Sequence, residues 1–465
     1  MIPLSVAQIS EIVGARADLL ADPNATVTGP VVIDSRKAGP GSLFAALPGQ
    51  QADGHDFAAP AVAAGAMAVL ATRPVGVPAL IVPDVPAALA EAVVARRPGL
   101  TIAAITGSAG KTTAKDLAAQ LIESLGPTVS PQASYNNEIG HPLTVLRVTE
   151  QTRYLVAEMS ARGPGHIAAL CRMSPPRLGA VLCVGHAHAG EFGSLDEVAR
   201  AKAELPAALP ADGVAVLNAD DPRVLAMAGR TAARVVTFGR SPRADIRAAG
   251  VVLDEAGRPG FTLRTPDGSA PVRLRLHGEH NVGNALAAAA LAGQLGVDLA
   301  AVAEVLSAAT ARSRWRMEVT RRPDGVTIIN DAYNASPEAL GAALSALAAM
   351  ARGGRAFAVL GPMKELGAYA EELHEQAGRQ AARAGLAGLI VVGEEAAPIL
   401  AGAKADPSWR GELLQVPDAA TAAAEASRRA RPGDVVLVKA ARAANLQRVA
   451  LALTGELDLT RELAP

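Results

Sequence analysis

The chain has 465 residues, a length that suggests about three domains, each able to bury its own core. Lysine and arginine (44) all but cancel aspartate and glutamate (45), and a formal charge of −1 gives no electrostatic case for nucleic acid or an anionic membrane. Half the residues are hydrophobic but only 3% are aromatic, so alanine-rich helices should pack on sheets.

Met1–Gly14 lacks the basic start and long apolar core of a secretory signal. Residues 1–98 read as a small α/β N-terminal domain. Short strands are predicted at Val31–Asp34, Ser42–Ala46, Ala68–Ala71 and Ala79–Val82, interleaved with alanine-rich helices. Arg96-Arg97-Pro98-Gly99 is a charged joint marked by proline and glycine.

The central segment, 99–312, opens on the most informative stretch. Leu100–Ile105 is an apolar run that reads as a buried strand, and Lys115–Leu125 reads as a helix stopped by Gly126 with Pro127 beyond. Between them lies Thr106-Gly107-Ser108-Ala109-Gly110-Lys111-Thr112-Thr113, a short P-loop form with Ile105 where the common form has glycine. Its backbone N–H groups and the helix N-terminus suit phosphate oxygens. Lys111 is placed to reach the outer phosphates of a nucleoside triphosphate, and the Thr112 hydroxyl to ligate Mg²⁺. Strands at Tyr154–Glu158, Leu178–Val184, Val214–Asn218 and Val235–Phe238 alternate with helices, the signature of a mostly parallel, doubly wound sheet. The polar, alternating stretch Asp245–Leu276 suits antiparallel strands at its edge. Cys171 and Cys183 are too few for a disulfide framework and read as buried thiols in a reducing cytosol.

The third segment, 313–465, repeats the rhythm as a C-terminal Rossmann-like α/β domain. Its strands are predicted at Val326–Asn330, Ala356–Leu360, Leu389–Val392 and Val435–Val438. Ser336-Pro337-Glu338 opens a helix with a cap, a proline and an acid. The apolar stretches Ala285–Leu306 and Ala339–Ala351 are interrupted by polar residues or glycine and read as core helices, not membrane spans.

Ligands of open α/β sheets sit beyond the carboxyl ends of the strands. Polar residues gather there: Glu158, then His186 and His188, then Asn218, Asp220 and Asp221. An acid and a histidine at a P-loop mouth can hold a metal ion that bridges phosphate and a second substrate. The alternative is a solvated acid and a histidine with a purely structural hydrogen bond. Lys202 reads, on spacing alone, as a solvated surface charge. Gly278-Glu279-His280-Asn281 either caps the next helix or reaches a nucleotide base, and Asn330-Asp331-Ala332-Tyr333-Asn334 offers polar groups at another strand end.

Over almost its whole length the chain resembles the Mur ligases of bacterial cell-wall synthesis. The likeness rests on Thr106–Thr113, Ser134–Thr144, Gly190–Ser194, Asn330–Pro337 and Leu360–Gly367. In the first domain it rests on Asp34-Ser35-Arg36, Gly41–Phe44 and Asp53-Gly54-His55. These stretches look like the branch that adds D-alanyl-D-alanine to a UDP-N-acetylmuramoyl-tripeptide. The Asp-Asn-Pro-Arg motif typical of the diaminopimelate/lysine-adding branch is absent.

The resemblance implies a cytoplasmic, monomeric ligase that uses ATP and Mg²⁺, binds no nucleic acid and does not insert into membranes. It places ATP on Gly107, Ser108, Ala109, Gly110, Lys111, Thr112 and Thr113, with Asn281 and Arg316 near the adenine or phosphates and Asp331 near the ribose. It places Mg²⁺ on Thr112, Glu158, His188 and a carbamylated Lys202, making Lys111, Glu158, His188 and Lys202 the catalytic set. Asp34, Ser35 and Arg36 would contact the UDP part in the 1–98 domain, and Asn136, Asn137 and Arg162 the rest of that substrate. Four positions depart from the family's habit: Ser160 for glycine, His186 for threonine, Pro362 for an acid and Ala441 for serine. A sister ligase (diaminopimelate/lysine-adding or folylpolyglutamate-type) and a non-catalytic nucleotide-binding module are the rival readings.

Overall fold

The computed structural model describes residues 3–48, 52–187 and 189–459. Contacts divide the chain into two compact units. One is drawn from Met1–Ala104, Leu125–Ser160 and His166–Arg177, the other from Ile105–Ser124, Ala161–Gly165 and Leu178–Pro465.

The first unit contains a five-stranded sheet in the order Arg16–Asp18, Ala79–Ile81, Ala68–Ala71, Leu43–Ala45, Val31–Val32. All its pairs are parallel except that of Arg16–Asp18. Side chains alternate between its faces, so Leu43, Leu70 and Leu80 enter one core while Phe44, Val69 and Ala79 enter another. The predicted strand Val31–Asp34 stops at Val32, because Asp34 turns to cap the tight turn Ser35–Lys37. The same unit holds Tyr154–Glu158, paired in parallel with Thr128–Val129.

In the second unit, strands run Gly268–Arg273, Pro259–Thr265, Ile246–Leu253, Arg234–Gly239, Val214–Asn218, Leu178–Val181. The first two pairs are antiparallel and the rest parallel, as the alternating stretch at 245–276 implied. Strand Leu178–Val181 is shorter than predicted. The Leu182 N–H goes to the Thr106 carbonyl (2.9 Å) and the Val184 N–H to the Asp221 carboxylate (2.8 Å), which turns the chain toward the P-loop. A second sheet runs Glu318–Arg321, Thr327–Asn330, Val435–Lys439, Ala356–Leu360, Gly388–Val392, Glu412–Val416, with only its first pair antiparallel. Helices cover both faces: Val435 and Leu437 pack into one core, Val436 and Val438 into the other.

The P-loop helix begins at Lys111, four residues before its predicted start, and ends at Ile122 in a 3₁₀ turn. The stretch expected as helix over Ala285–Leu306 is two helices, Asn281–Gln294 and Leu299–Ala308, broken near Gly296. Both thiols are free. Cys171 is buried as expected, but Cys183 is only partly buried. Among the described residues no helix is long and apolar enough to cross a membrane.

Candidate functional site

The P-loop is built by two left-handed glycines and by tethers to the strand beside it. Gly110 (φ +82°) is the N-cap residue of helix Lys111–Ile122, which has no side-chain cap. Ser108 N–H bonds the Cys183 carbonyl at 2.9 Å, Ala109 N–H meets Cys183 Sγ at 3.3 Å, and Ser108 Oγ exchanges bonds with Gly185. The N–H groups of Ser108 and Ala109 are therefore engaged by protein, contrary to a loop of bare donors. The helix start at Lys111–Thr113 has no side-chain cap, and the helix dipole there favours an anion. Lys111 Nζ folds back onto the Gly107 carbonyl at 2.6 Å.

Beside this turn, within the same unit, lies a cavity of about 470 Å³. Its wall includes Ala109, Gly110, Thr112, Thr113, Asn281, Arg316 and Asp331, so most of the nucleotide set expected from sequence converges on one space. Phe238, Leu276, Met317 and Ala342 give it an apolar side suited to a flat base. Asn281 donates to the His277 carbonyl at 2.8 Å and accepts from Asn284 at 2.9 Å. Asn284, unremarked in the sequence, sits one helical turn after Asn281 and presses on Gly110. The signal was a second asparagine at i+3 in an alanine-rich helix. A Cβ on Gly110 would collide with Asn284 Oδ1 in a backbone conformation that side chains avoid. Gly110→Ala should therefore raise the dissociation constant for ADP at least about tenfold, checked by calorimetry, through backbone strain of order 1–3 kcal/mol.

Lys202 is not a surface charge. It is 3% exposed, and burial, with Lys111 adding repulsion, pushes its ammonium down to about 7. Cys183 and Glu338 act in the opposite sense. His188 lies outside the described residues. His186, two positions earlier, donates its backbone N–H to Glu338 at 2.7 Å and places its ring Nδ1 2.9 Å from the same oxygen. The sequence reading did not single out Glu338 as part of the site. The expected strand-end acids Asp220 and Asp221 hold backbone: Asp220 accepts from Arg240 and Ser241, Asp221 from Val184, Arg223 and Val224. Asn218 donates to the Leu182 carbonyl at 2.7 Å.

The segment after residue 312 reaches the P-loop directly. Arg316 Nη2 donates to Thr112 Oγ1 at 3.2 Å while its guanidinium stacks 4.3 Å from the Tyr333 ring centre. Gly190 N–H bonds the Glu365 carbonyl at 3.0 Å, and Tyr369 Oη donates to the Gly193 carbonyl at 2.9 Å. Gly190 and Gly367 meet backbone to backbone, and a Cβ on Gly367 would lie 2.6 Å from Gly190 Cα. Arg162, expected at the substrate, lies 3.6 Å from Glu365 Oε1.

In the first unit, Glu158 is 1% exposed at its strand end, and the Asn136 amide donates to its Oε1 at 2.6 Å. Ser160, the departure from glycine, donates to Asn136 Oδ1 at 3.0 Å. That bond orients the amide so that its N–H₂ faces Glu158. Asn136 thus positions Glu158, and Asn137 accepts from Gly140 N–H at 2.8 Å. Asp34 and Arg36 form a bidentate pair at 2.9 Å, which holds the Asp34 carboxyl at about 2. Ser35 opens the turn that Asp34 caps. Among the described residues no group of three or more His, Cys, Asp or Glu side chains is gathered to hold a metal ion.

Three family models cover most of the chain. One described as Mur ligase family, catalytic domain, matches residues 19–108; one described as Mur ligase middle domain matches 105–292; and one described as Mur ligase, glutamate ligase domain, matches 315–442. A UDP-N-acetylmuramoyl-tripeptide–D-alanyl-D-alanine ligase of Mycobacterium tuberculosis is 49% identical, with 98% of each chain aligned. The crystal structure of MurF from Acinetobacter baumannii superposes with a TM-score of 0.88 at 28% identity, covering 97% of this chain and 99% of that one. MurF ligase from Thermotoga maritima in complex with ADP gives 0.83 at 30% identity, over 94% and 99%.

Proposed function

This chain belongs to the Mur ligase family, and we propose that it joins D-alanyl-D-alanine to UDP-N-acetylmuramoyl-tripeptide at the expense of ATP. The observation that carries the nucleotide part is the cavity where an uncapped P-loop helix, Asn281, Arg316 and Asp331 converge. The substrates are those of the D-alanyl-D-alanine ligase relative, 49% identical over 98% of the chain. Three functional regions, 1–98 for the UDP-sugar, 99–312 for ATP and 313–465 for closure and the amine, suit such a reaction in the cytoplasm.

A carboxylate is a poor electrophile and repels a triphosphate. ATP phosphorylates the tripeptide's terminal carboxylate, giving an acyl phosphate and ADP. The dipeptide amine then attacks the carbonyl carbon, and the tetrahedral intermediate collapses with loss of phosphate. Lys111 and the helix start stabilise charge on the transferred phosphoryl group, and Arg316, bonded to Thr112, adds a guanidinium beside them. Closure of the Gly190–Gly367 contact keeps water from the acyl phosphate.

The donor set fits a divalent cation in chemistry: a hydroxyl at Thr112, a buried carboxylate at Glu158, and a lysine whose lowered pKa leaves a neutral amine able to attack CO₂, releasing a proton and forming a carbamate. Mg²⁺ held there with a Lys202 carbamate and His188 would neutralise phosphate charge. Asp34, Ser35 and Arg36 are the proposed UDP contacts. The Arg36 side chain is largely exposed beside its Asp34 partner and so accessible to that ligand.

Phosphate release should require ATP, UDP-N-acetylmuramoyl-tripeptide and D-alanyl-D-alanine together and yield the pentapeptide mass. Turnover with a single amino acid on the dipeptide precursor would reassign the chain to the preceding ligation. Nucleotide binding without turnover on either substrate would favour the non-catalytic module.

A further inference from the structure

We infer that Lys439 is a positioning residue for phosphoryl transfer, acting through Asp331 to hold the strap Ser313–Glu318 that carries Arg316 to the P-loop. The inference rests on the reading that the cavity takes ATP.

The strap has an unusual backbone. Trp315 (φ +59°) and Met317 (φ +49°), on either side of Arg316, are both left-handed although each carries a side chain. Such a conformation persists only where its surroundings over-determine it. Four hydrogen bonds do so here. Ser313 N–H donates to Asp116 (3.0 Å), Trp315 N–H to Glu318 (3.1 Å), Tyr333 N–H to the Trp315 carbonyl (3.3 Å) and Met317 N–H to Asp331 Oδ1 (3.0 Å). The last is adjacent to Arg316 and draws on a residue at the end of strand Thr327–Asn330.

Asp331 is in turn fixed by Lys439, at the end of the neighbouring strand. Lys439 is 3% exposed, and its Nζ donates to Asp331 Oδ2 (2.5 Å), the Asn334 carbonyl (2.9 Å) and the Asp331 carbonyl (3.3 Å). An ammonium has three protons, and all three are directed at protein acceptors. Lys439 therefore has no donor to spare for a phosphate, although its side chain borders the cavity. Asp331, which the family resemblance assigned to the ribose, has one carboxylate oxygen on the strap and the other on Lys439. The chain of dependence runs Lys439, Asp331, Met317 N–H, Arg316, Thr112. Without the lysine, Asp331 becomes an uncompensated buried charge, its hold on the strap changes, and the guanidinium leaves the P-loop.

A double-mutant cycle on the full chain tests this, using phosphate release with all three substrates. Arg316→Met should lower kcat/KM for ATP by roughly 100-fold, as loss of one preorganised donor does. Lys439→Met should lower it by at least roughly tenfold, with KM for the UDP-substrate unchanged. The double variant should be no worse than Arg316→Met, because the lysine acts only through the arginine. In a Trp409→Phe background, Lys439→Met should shift the emission of Trp315 without substrates present. Asp331→Asn/Lys439→Met removes both charges and guards against misfolding, and it should retain the defect. Multiplying effects, an unshifted Trp315 emission, or full activity in the neutral pair would overturn the inference. A wild-type chain that releases no phosphate would sink the functional reading instead, while the Trp315 emission would still decide the strap.

Discussion

Lys111→Ala should cut turnover by roughly 10²–10³-fold, the usual loss when one preorganised donor is removed from a developing charge. The fold should survive, because the helix that Lys111 opens has a buried face formed by Leu117, Leu121 and Ile122, none of which depends on it. Its Nζ now rests on the Gly107 carbonyl, a bond that an incoming γ-phosphate would replace with a stronger, charge-assisted one. Stopped-flow phosphate release, with melting temperature as the control, measures the effect. A variant within about threefold of wild type would end the P-loop assignment, since no ligation step could then rely on that cation.

Lys202→Met should be equally damaging to activity and yet raise stability near neutral pH. The ordinary lysine value is 10.5, and burial beside Lys111 brings Lys202 to about 7. Between those values the unfolded chain holds a proton that the folded chain lacks, so the unmodified protein gains stability as pH rises through this window. Below about pH 7 it bears the whole cost of a buried ammonium, on the order of a few kcal/mol. The methionine variant bears none of it. In CO₂-free buffer it should melt above the parent at about pH 6, with the gap closing toward about pH 10. Added bicarbonate should raise the parent's activity and melting temperature and leave the variant untouched. In a Lys202→Ala variant, short carboxylates should restore part of the rate. Full activity without them would remove Lys202 from the site.

Strands with a continuous apolar run were legible in the sequence. Ala68–Ala71, Tyr154–Glu158, Val214–Asn218 and Ala356–Leu360 have their predicted ends, because each is a largely buried run. Glu412–Val416 escaped notice because it is an edge strand with only Val416 buried, so no apolar run announces it. The P-loop helix was placed four residues late. Lys111-Thr112-Thr113 reads as polar loop until one sees that Gly110 supplies the left-handed turn that lets a helix begin there. The residues proposed for the nucleotide were legible as candidates because they sit in local motifs, and most of them line one cavity. Glu338 and Lys439 were not, since each acts on a residue far away in the chain. The burial of Lys202 was not legible: helical spacing puts it on a surface, and only tertiary packing buries it. Asp220 and Asp221 show the converse, strand-end acids whose carboxylates are consumed by the N–H groups of turns.

The meeting of Gly190 with Gly367 bears on how each cycle ends. A seam between bare main chains has no interlocked knobs to unpick. It is stitched by the Gly190 N–H and the Tyr369 hydroxyl, both bonded to carbonyls, and it can come apart as a zipper does, stitch by stitch, with water replacing each bond in turn. A methyl group at either glycine would wedge it ajar. The ligation proposed above would need the seam shut, and departure of ADP and a bulky sugar–peptide would need it open once in every turnover. Two glycines let the same few atoms seal tightly and let go cheaply.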